Sequence, residues 1–324
     1  MNRLFESLGT DPAHNLAIEE ALLVGAVETP ALFLWQNAHT VVIGRGQNAW
    51  KECRTALLEE EGGTLVRRTT GGGAVYHDLG NLNFSFVMPK ALYDVPRQLN
   101  VIRRAVKQFG VDTENSGRND IVISGTGEKF SGNAFRHTQA ASLHHGTILH
   151  SVDKQKLGRY LAPSKQKLQA KGVESVRARV GNLVDHAPQM TIASLKEALY
   201  DAFIQEYGEA RMLAYQDAVD FETIEQLTLR NRTWEWVYGR TPRFDITLEE
   251  RFPWGQVELH LSLQKGNILE AQCYTDAMDA DLAERVSNAL LGAALVPAEI
   301  STRLRESGKP EDADIAEWFL NQQI

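Results

Sequence analysis

The stretch RRTTGGGAVYHD, residues 67–78, sets two arginines and three consecutive glycines directly ahead of a β-like run that closes on His77 and Asp78. Glycines without a Cβ can bring backbone N–H groups against a ligand, and clustered N–H donors bind anions. A neighbouring guanidinium would complete a phosphate cradle. Taken alone the signal is weak, because glycine runs are more often just strained turns. Either way the run punctuates a sheet, because LVRRTT precedes it, AVYHD follows, and LNFSFVM comes after the turn DLGN, all with strand-like alternation.

Working outward, DPAHNLAIEEALLVGA offers Asp11 as an N-cap, Pro12 at the first helical position and Leu16, Glu19, Glu20 and Leu23 at helical spacing. ALFLW and TVVIG predict two strands, adjacent or in a hairpin, and AWKECRTALLEEEGG a helix stopped by Gly62 and Gly63. Residues 96–110 predict a helix, DIVIS, GTGE and KFSGNAFRH a hairpin, and SLHHGTIL a further strand. Strict alternation in that hairpin puts Lys129, Ser131 and Asn133 on one face, and Phe130 and Ala134 on the other. Thr191 caps an amphipathic helix carrying Ile192, Leu195, Leu199 and Phe203. Past TWEWVYGRTPR the pattern restarts with VELHLSL and ILEAQCYT, joined by the turn QKGN, and ends in helices. The expectation is an α+β chain: a large mixed-sheet domain over residues 1–240 and a small α+β domain over 241–324.

Composition sets the outer bounds. The chain has 324 residues, 43% hydrophobic and 23% charged, as in an ordinary folded protein. A formal net charge of -8 argues against a protein that coats nucleic acid. The first residues lack a signal-like apolar core and no run of 18 apolar residues follows, so a soluble, cytoplasmic protein without membrane contact is expected. Cys53 and Cys273 lie far apart and outside any metal-ligand spacing, which suggests neither a disulfide nor zinc.

Two familiar phosphate loops are excluded, since the chain has no GxxxxGK[ST] and no GxGxxG between a strand and a helix. The motifs RRTTGGGAVYHD, GRND at 117–120, EKFSGNAFR at 128–136, HHGTIL at 144–149 and KLQAKGVESVRARVGNL at 167–183 occur in that order. With them the chain resembles the lipoate-protein ligase A family along its whole length, in the form that carries a C-terminal accessory domain. The resemblance implies a biotin/lipoate-ligase-like fold and a two-step reaction with ATP and magnesium. Lipoate, and octanoate as well, would be adenylated with loss of pyrophosphate, then transferred to a lysine of a lipoyl domain, as in lipoate salvage.

On the same footing, Lys129 matches the family's catalytic lysine, touching both the α-phosphate and the carboxylate. Arg68, Gly73, Ala74, Val75 and Tyr76 match the positions along the adenylate, with Tyr76 where relatives often have phenylalanine. Arg67 would point the opposite way and be structural. Trp35, His77, His145 and Glu19 match the surroundings of the lipoyl chain, and Asp120 matches an acidic position that could hold magnesium or orient Lys129. Taken singly, a strand tryptophan is simply core, and a lone strand histidine is more often a satisfied structural residue. Lys154, Lys156, Arg159, Lys165, Lys167, Lys171, Arg177 and Arg179 outnumber Asp153 and Glu174 between residues 151 and 180. That stretch reads either as a solvated face or as a docking patch for the acidic acceptors the resemblance implies. Those acceptors are the lipoyl domains of 2-oxoacid dehydrogenase acyltransferase subunits and the glycine-cleavage H protein. A monomer is expected. The rival readings are an ATP-independent transferase using Cys53, a non-catalytic adenylate sensor and a biotin ligase.

Overall fold

The structure is a computed structural model that describes residues 1–25, 27–117, 119–161, 180–238, 246–264 and 267–321, with Trp50 and Lys51 as backbone. Its described residues group into two compact units. The first comprises Met1–Val42, Ala49–Arg67 and Ala74–Val237, and the second comprises Ile43–Asn48, Arg68–Gly73 and Tyr238–Ile324.

In the first unit the strands are β1 Asn2–Glu6, β2 Ala31–Trp35, β3 Thr40–Ile43, β4 Thr64–Arg67, β5 Val75–His77, β6 Asn81–Pro89, β7 Thr113–Ser116, β8 Asp120–Ile123, β9 Lys129–His137, β10 Ala141–Leu149 and β11 Ala210–Met212. Eight of them form a mixed sheet in the order β11-β1-β2-β6-β10-β9-β8-β7, parallel from β11 to β2 and antiparallel beyond. A second sheet has the order β4-β3-β5. ALFLW and TVVIG are therefore not neighbours: β2 lies in the large sheet between β1 and β6, and β3 lies in the small one.

Both faces of the large sheet are covered, so its central strands β2, β6 and β10 are almost continuously buried, polar residues included. One face presents Leu32, Leu34, Leu82, Phe84, Phe86, Ile121 and Ile148 to the helices Val95–Lys107 and Ile192–Tyr207. The other presents Phe5, Phe33, Trp35, Val87 and Leu143 to the helix Pro12–Val24. That helix starts where the sequence predicts, with the Asp11 carboxylate accepting from the Ala13 N–H. The Thr191 cap also forms, reciprocated by Ser194. Asn231 Nδ2 donates to Ala13 O, so the first helix is enclosed by the helix Phe221–Arg232 as well as by the sheet. Enclosure on both sides buries its adjacent carboxylates, Glu19 and Glu20.

The predicted helix over AWKECRTALLEEE breaks into Ala49–Glu52 and Thr55–Glu60. At the break, Cys53 bridges to Leu161 and the Arg54 N–H donates to Tyr160 O, which takes that N–H out of the helical ladder. In the second unit, β12 Ile246–Phe252, β13 Gly255–Gln264 and β14 Asn267–Thr275 form an antiparallel sheet. Helices Leu282–Leu290, Pro297–Arg305 and Pro310–Leu320 bury Leu259, Leu261, Val286, Ile315 and Phe319 with it. Lys265 and Gly266 of the expected QKGN turn lie outside the described residues. Among those residues, no helix is long and apolar enough to cross a membrane.

Candidate active site

A β-bulge decides where Lys129 points. Strand β8 pairs Asp120 with Gly132 and Ile121 with Ser131, then Val122 with Lys129. One step along β8 thus spans two along β9, and Phe130 is the extra residue. Ser131 stays with Ile121 on the helix-packed face and Phe130 fills the same core. Lys129 is turned to the opposite face, with Asp120 and Gly132. Strict alternation had grouped Lys129 with Ser131 and Asn133, and the bulge corrects that.

On this face Lys129 Nζ lies 2.7 Å from Asp120 Oδ1, both side chains about one-third exposed. The lysine stem runs over Gly132, where a Cβ would stand 3.0 Å from Nζ. Gly181 N donates to Lys129 O, and Val180 bridges to Lys129. Below the pair, the Asn119 and Asn133 side-chain amides each donate to the other residue's carbonyl at 2.9 Å. His144 supports them from the core, its ring nitrogens 2.8 Å from Asn133 Oδ1 and from Gln98 Oε1. Burial, with a smaller contribution from neighbouring His145, pushes His144 down to about 3. A neutral ring has one N–H to give. Turning the Gln98 amide, whose Nε2 otherwise lacks a partner, lets it donate to Nδ1 while the ring's Nε2–H goes to Asn133.

Further along the same face, a hydrogen-bond chain joins three residues expected around an acyl chain. The Trp35 indole N–H donates to Ser85 Oγ at 2.9 Å, Ser85 Oγ donates to Glu19 Oε1, and His145 Nδ1 lies 2.7 Å from the same Glu19 oxygen. All four residues are buried. His77 meets the edge of Trp35, ring centroids 6.3 Å apart, and its Nδ1 accepts from Asn37 Nδ2 at 3.2 Å. The structure therefore brings Trp35, Glu19, His145 and His77 into one cluster. Sequence reading missed Ser85 at its centre. Its signal was present in NLNFSF, where Asn81, Asn83 and Ser85 alternate with Leu82, Phe84 and Phe86.

Beside this cluster the Glu20 carboxylate is held between Arg136, 3.2 Å away, and Arg230. The Arg230 guanidinium stacks over Trp236, 4.0 Å from the ring centroid, and the Trp236 indole donates to Arg67 O. Arg67 in turn donates to Trp236 O and Val237 O at the end of the short helix Trp234–Val237.

Tyr76 points to the other side of β5 from His77. It packs against His39 and Tyr160, ring centroids 6.0 and 5.6 Å away, and burial raises its hydroxyl pKa strongly. The Tyr76 ring thus belongs to an aromatic cluster. Cys53 is buried, and desolvation with the charge of Glu59 pushes its thiol up to about 12, which keeps it protonated and unfit as a nucleophile.

The glycine loop belongs to the second unit. Arg68 wraps it from inside, with Nε donating to Thr70 Oγ1 at 2.9 Å and Nη2 to Gly71 O and Gly73 O at 2.7 and 2.8 Å. A Cβ on Gly71 would stand 2.4 Å from Ala277 O, and Gly72 has φ +86°, so packing and conformation require these two. Around a Cβ at Gly73 there is nothing within 4 Å. Arg118 of GRND, most of LQAKGVESVRARV, and Lys165, Lys167, Lys171, Arg177 and Arg179 lie outside the described residues. Among those that are described, no cluster of three His, Cys, Asp or Glu residues could hold a metal by itself.

Residues 11–204 match the lipoyl protein ligase A/B catalytic domain, and residues 241–319 match the bacterial lipoate protein ligase C-terminus. Among solved structures, the chain is similar to LipL1 of P. falciparum in complex with lipoate, at 28% identity and a TM-score of 0.87, over 99% of this chain and 100% of that one. It is also similar to the bi-partite lipoate protein ligase of Thermoplasma acidophilum, solved with its E2 lipoyl domain, at 28% identity and a TM-score of 0.64, over 76% and 99% of the two chains. A lipoate-protein ligase A bound with ATP matches at 28% identity and a TM-score of 0.61, over 74% of this chain and 98% of that one.

Proposed function

We propose, from the premise that this chain belongs to the lipoate-protein ligase family, that it activates lipoate with ATP and transfers the lipoyl group to a lysine of a lipoyl domain. In the first step a lipoate carboxylate oxygen attacks the α-phosphorus, and the bond to the pyrophosphate leaving group breaks. In the second the lysine amine attacks the acyl carbon and AMP leaves. Octanoate is a second substrate in this reading, and lipoate salvage in the cytoplasm its setting. Acceptors are lipoyl domains, such as those of 2-oxoacid dehydrogenases and the glycine-cleavage H protein.

The observation that carries the reading is the bulge at Phe130. It sets a one-third-exposed ammonium on the same sheet face as a buried cluster suited to an acyl chain. Bringing one anion to another needs a fixed cation where charge builds up, and Lys129 over Gly132 is one. Asp120 restrains its approach. The lipoyl chain gains roughly 0.8 kcal/mol for each methylene buried, and Trp35, His77, His145 and Glu19 are the walls we assign to it.

Family position assigns Arg68, Gly73, Ala74, Val75 and Tyr76 to the nucleotide. With the Arg68 donors turned onto its own loop and the Tyr76 ring onto Tyr160, we assign their contribution to backbone and loop shape. A magnesium ion would neutralise phosphate charge. A single carboxylate, Asp120, fits such an ion, since magnesium takes most of its ligands from phosphates and water. Cys53, buried and protonated, does not support a covalent acyl-enzyme route.

The test is the mass of an isolated lipoyl domain incubated with this protein, lipoate, magnesium and ATP. A lipoyl adduct that requires ATP is expected. An adduct of equal yield without ATP would overturn the ligase reading.

A further inference from the structure

Strand β6 carries a buried hydrogen-bond donor that no described residue meets. Asn83 is 2% exposed; with its Oδ1 accepting from Asn81 Nδ2 at 2.9 Å, its own Nδ2 and Asn81 Oδ1 are both left without a partner, and it is this amide orientation that turns a donor out of the pair. An unmet buried amide is costly, and such groups persist where something else satisfies them.

Its position says what that could be. Asn83 pairs with Trp35 on β2 and with Thr147 on β10. Thr147 Oγ1 accepts from Gly132 N, and Gly132 pairs with Asp120. Asp120, Gly132, Thr147, Asn83 and Trp35 thus make one row across five strands, with the Lys129 ammonium over Gly132. Asn83 stands two strands from Gly132, about 10 Å at the usual strand spacing. That separation is comparable to the reach of a short acyl chain from its carboxylate to its far end.

We infer that Asn83 is a specificity-determining residue, whose side-chain N–H donates to a sulfur of the bound acyl tail. This rests on the lipoate-ligase reading above and adds a further polar contact to the slot walled by Trp35, His77, His145 and Glu19. Sulfur is a weak acceptor, so the gain with lipoate is modest. A straight eight-carbon acid places only hydrogens there and leaves the amide unmet, and a site built to donate penalises the substrate that cannot accept. Asn83 therefore sets a preference for sulfur-bearing tails over octanoate.

The test compares lipoate, octanoate and an octanoate with one thioether sulfur in its tail, by kcat/KM for ATP-dependent modification of a lipoyl domain. The wild-type protein should favour the thioether acid over octanoate several-fold. Asn83→Leu should reduce the lipoate-to-octanoate ratio about tenfold. Because that change strands Asn81 Nδ2, the Asn81→Leu/Asn83→Leu double variant removes both amides and should show the same ratio. Equal use of the thioether acid and octanoate by the wild type, or an unchanged ratio in a folded variant, would overturn the inference while leaving the ligase intact. If no acid is ligated with ATP, it is the ligase reading that fails.

Discussion

Gly132→Ala should damage catalysis and spare the fold. The added Cβ would stand 3.0 Å from Lys129 Nζ and 3.1 Å from its Cε, where ordinary contacts need about 3.5–4.0 Å. The ammonium must retreat by roughly 0.5–1 Å, and an ion pair already at 2.7 Å from Asp120 cannot follow unchanged. The obstacle is the free end of a flexible, one-third-exposed chain, so the fold has an easy way to yield. A partly exposed pair contributes at most about 1 kcal/mol, and replacing a strand glycine returns roughly 0.5–1 kcal/mol, so net stability should stay within about 1 kcal/mol.

Catalysis has no such cushion, since a misplacement of about 1 Å can cost about a hundredfold. We expect pyrophosphate release with lipoate and ATP to fall about ten- to a hundredfold, and Lys129→Ala to lose about a thousandfold or more. Gly146→Ala is the contrast, because its Cβ would meet Phe84 Cζ at 2.6 Å and Gly132 O at 2.7 Å, neither of which can swing away. It should cost about 1–3 kcal/mol in urea denaturation. A folded Gly132→Ala protein that releases pyrophosphate within twofold of wild type would refute the placement of Lys129.

Glu20→Ala should cost about 3 kcal/mol in the same denaturation experiment, because it leaves Arg136 and Arg230 facing each other without the carboxylate between them. His144 has a folded pKa of about 3, below its value of about 6.5 in the unfolded chain, so the unfolded state takes up its proton first. Its stability contribution is complete above pH about 6.5 and is lost as pH falls towards 3; in His144→Gln this part of the pH dependence should vanish from urea midpoints. Cys53→Ala should ligate lipoate at near wild-type rate, and loss of activity in a folded variant would revive a thiol mechanism. Trp35→Val opens the slot beside Ser85 and should admit bulkier acyl tails, seen as new masses on the acceptor domain.

Local signals carried much of the fold. Asp11 and Thr191 cap helices where their side chains can reach the free N–H groups, and the alternating or apolar runs became strands. Long-range competition was not legible. The separation of ALFLW from TVVIG into two sheets depends on β1 and β6 flanking β2, and neither can be foreseen from the turn QNAH. The helix over residues 49–61 breaks because Tyr160 O, about a hundred residues on, takes the Arg54 N–H, with Leu161 bridging to Cys53. In the site, residue types were readable and their facing was not, since one extra residue at Phe130 reverses Lys129 against its strand.

That reversal has an energetic rationale. Lysine at 129 in a regular strand would point with Ser131 into a core of Phe84, Phe86 and Ile121, where an ammonium has no counter-charge and desolvation is prohibitive. Phenylalanine at 130 has the opposite preference. A bulge satisfies both at once, by letting Phe130 and Ser131 share the core side while Lys129 leaves for the face that holds Asp120. The face it joins is the expensive one, since Glu19, Ser85, His145 and the Asn81–Asn83 pair are buried there among apolar neighbours. The protein meets most of that cost internally, through the chain from Trp35 to His145. Among the groups left unmet, the Asn83 amide lies in the row that runs past the ammonium, as expected if its partner arrives with the substrate.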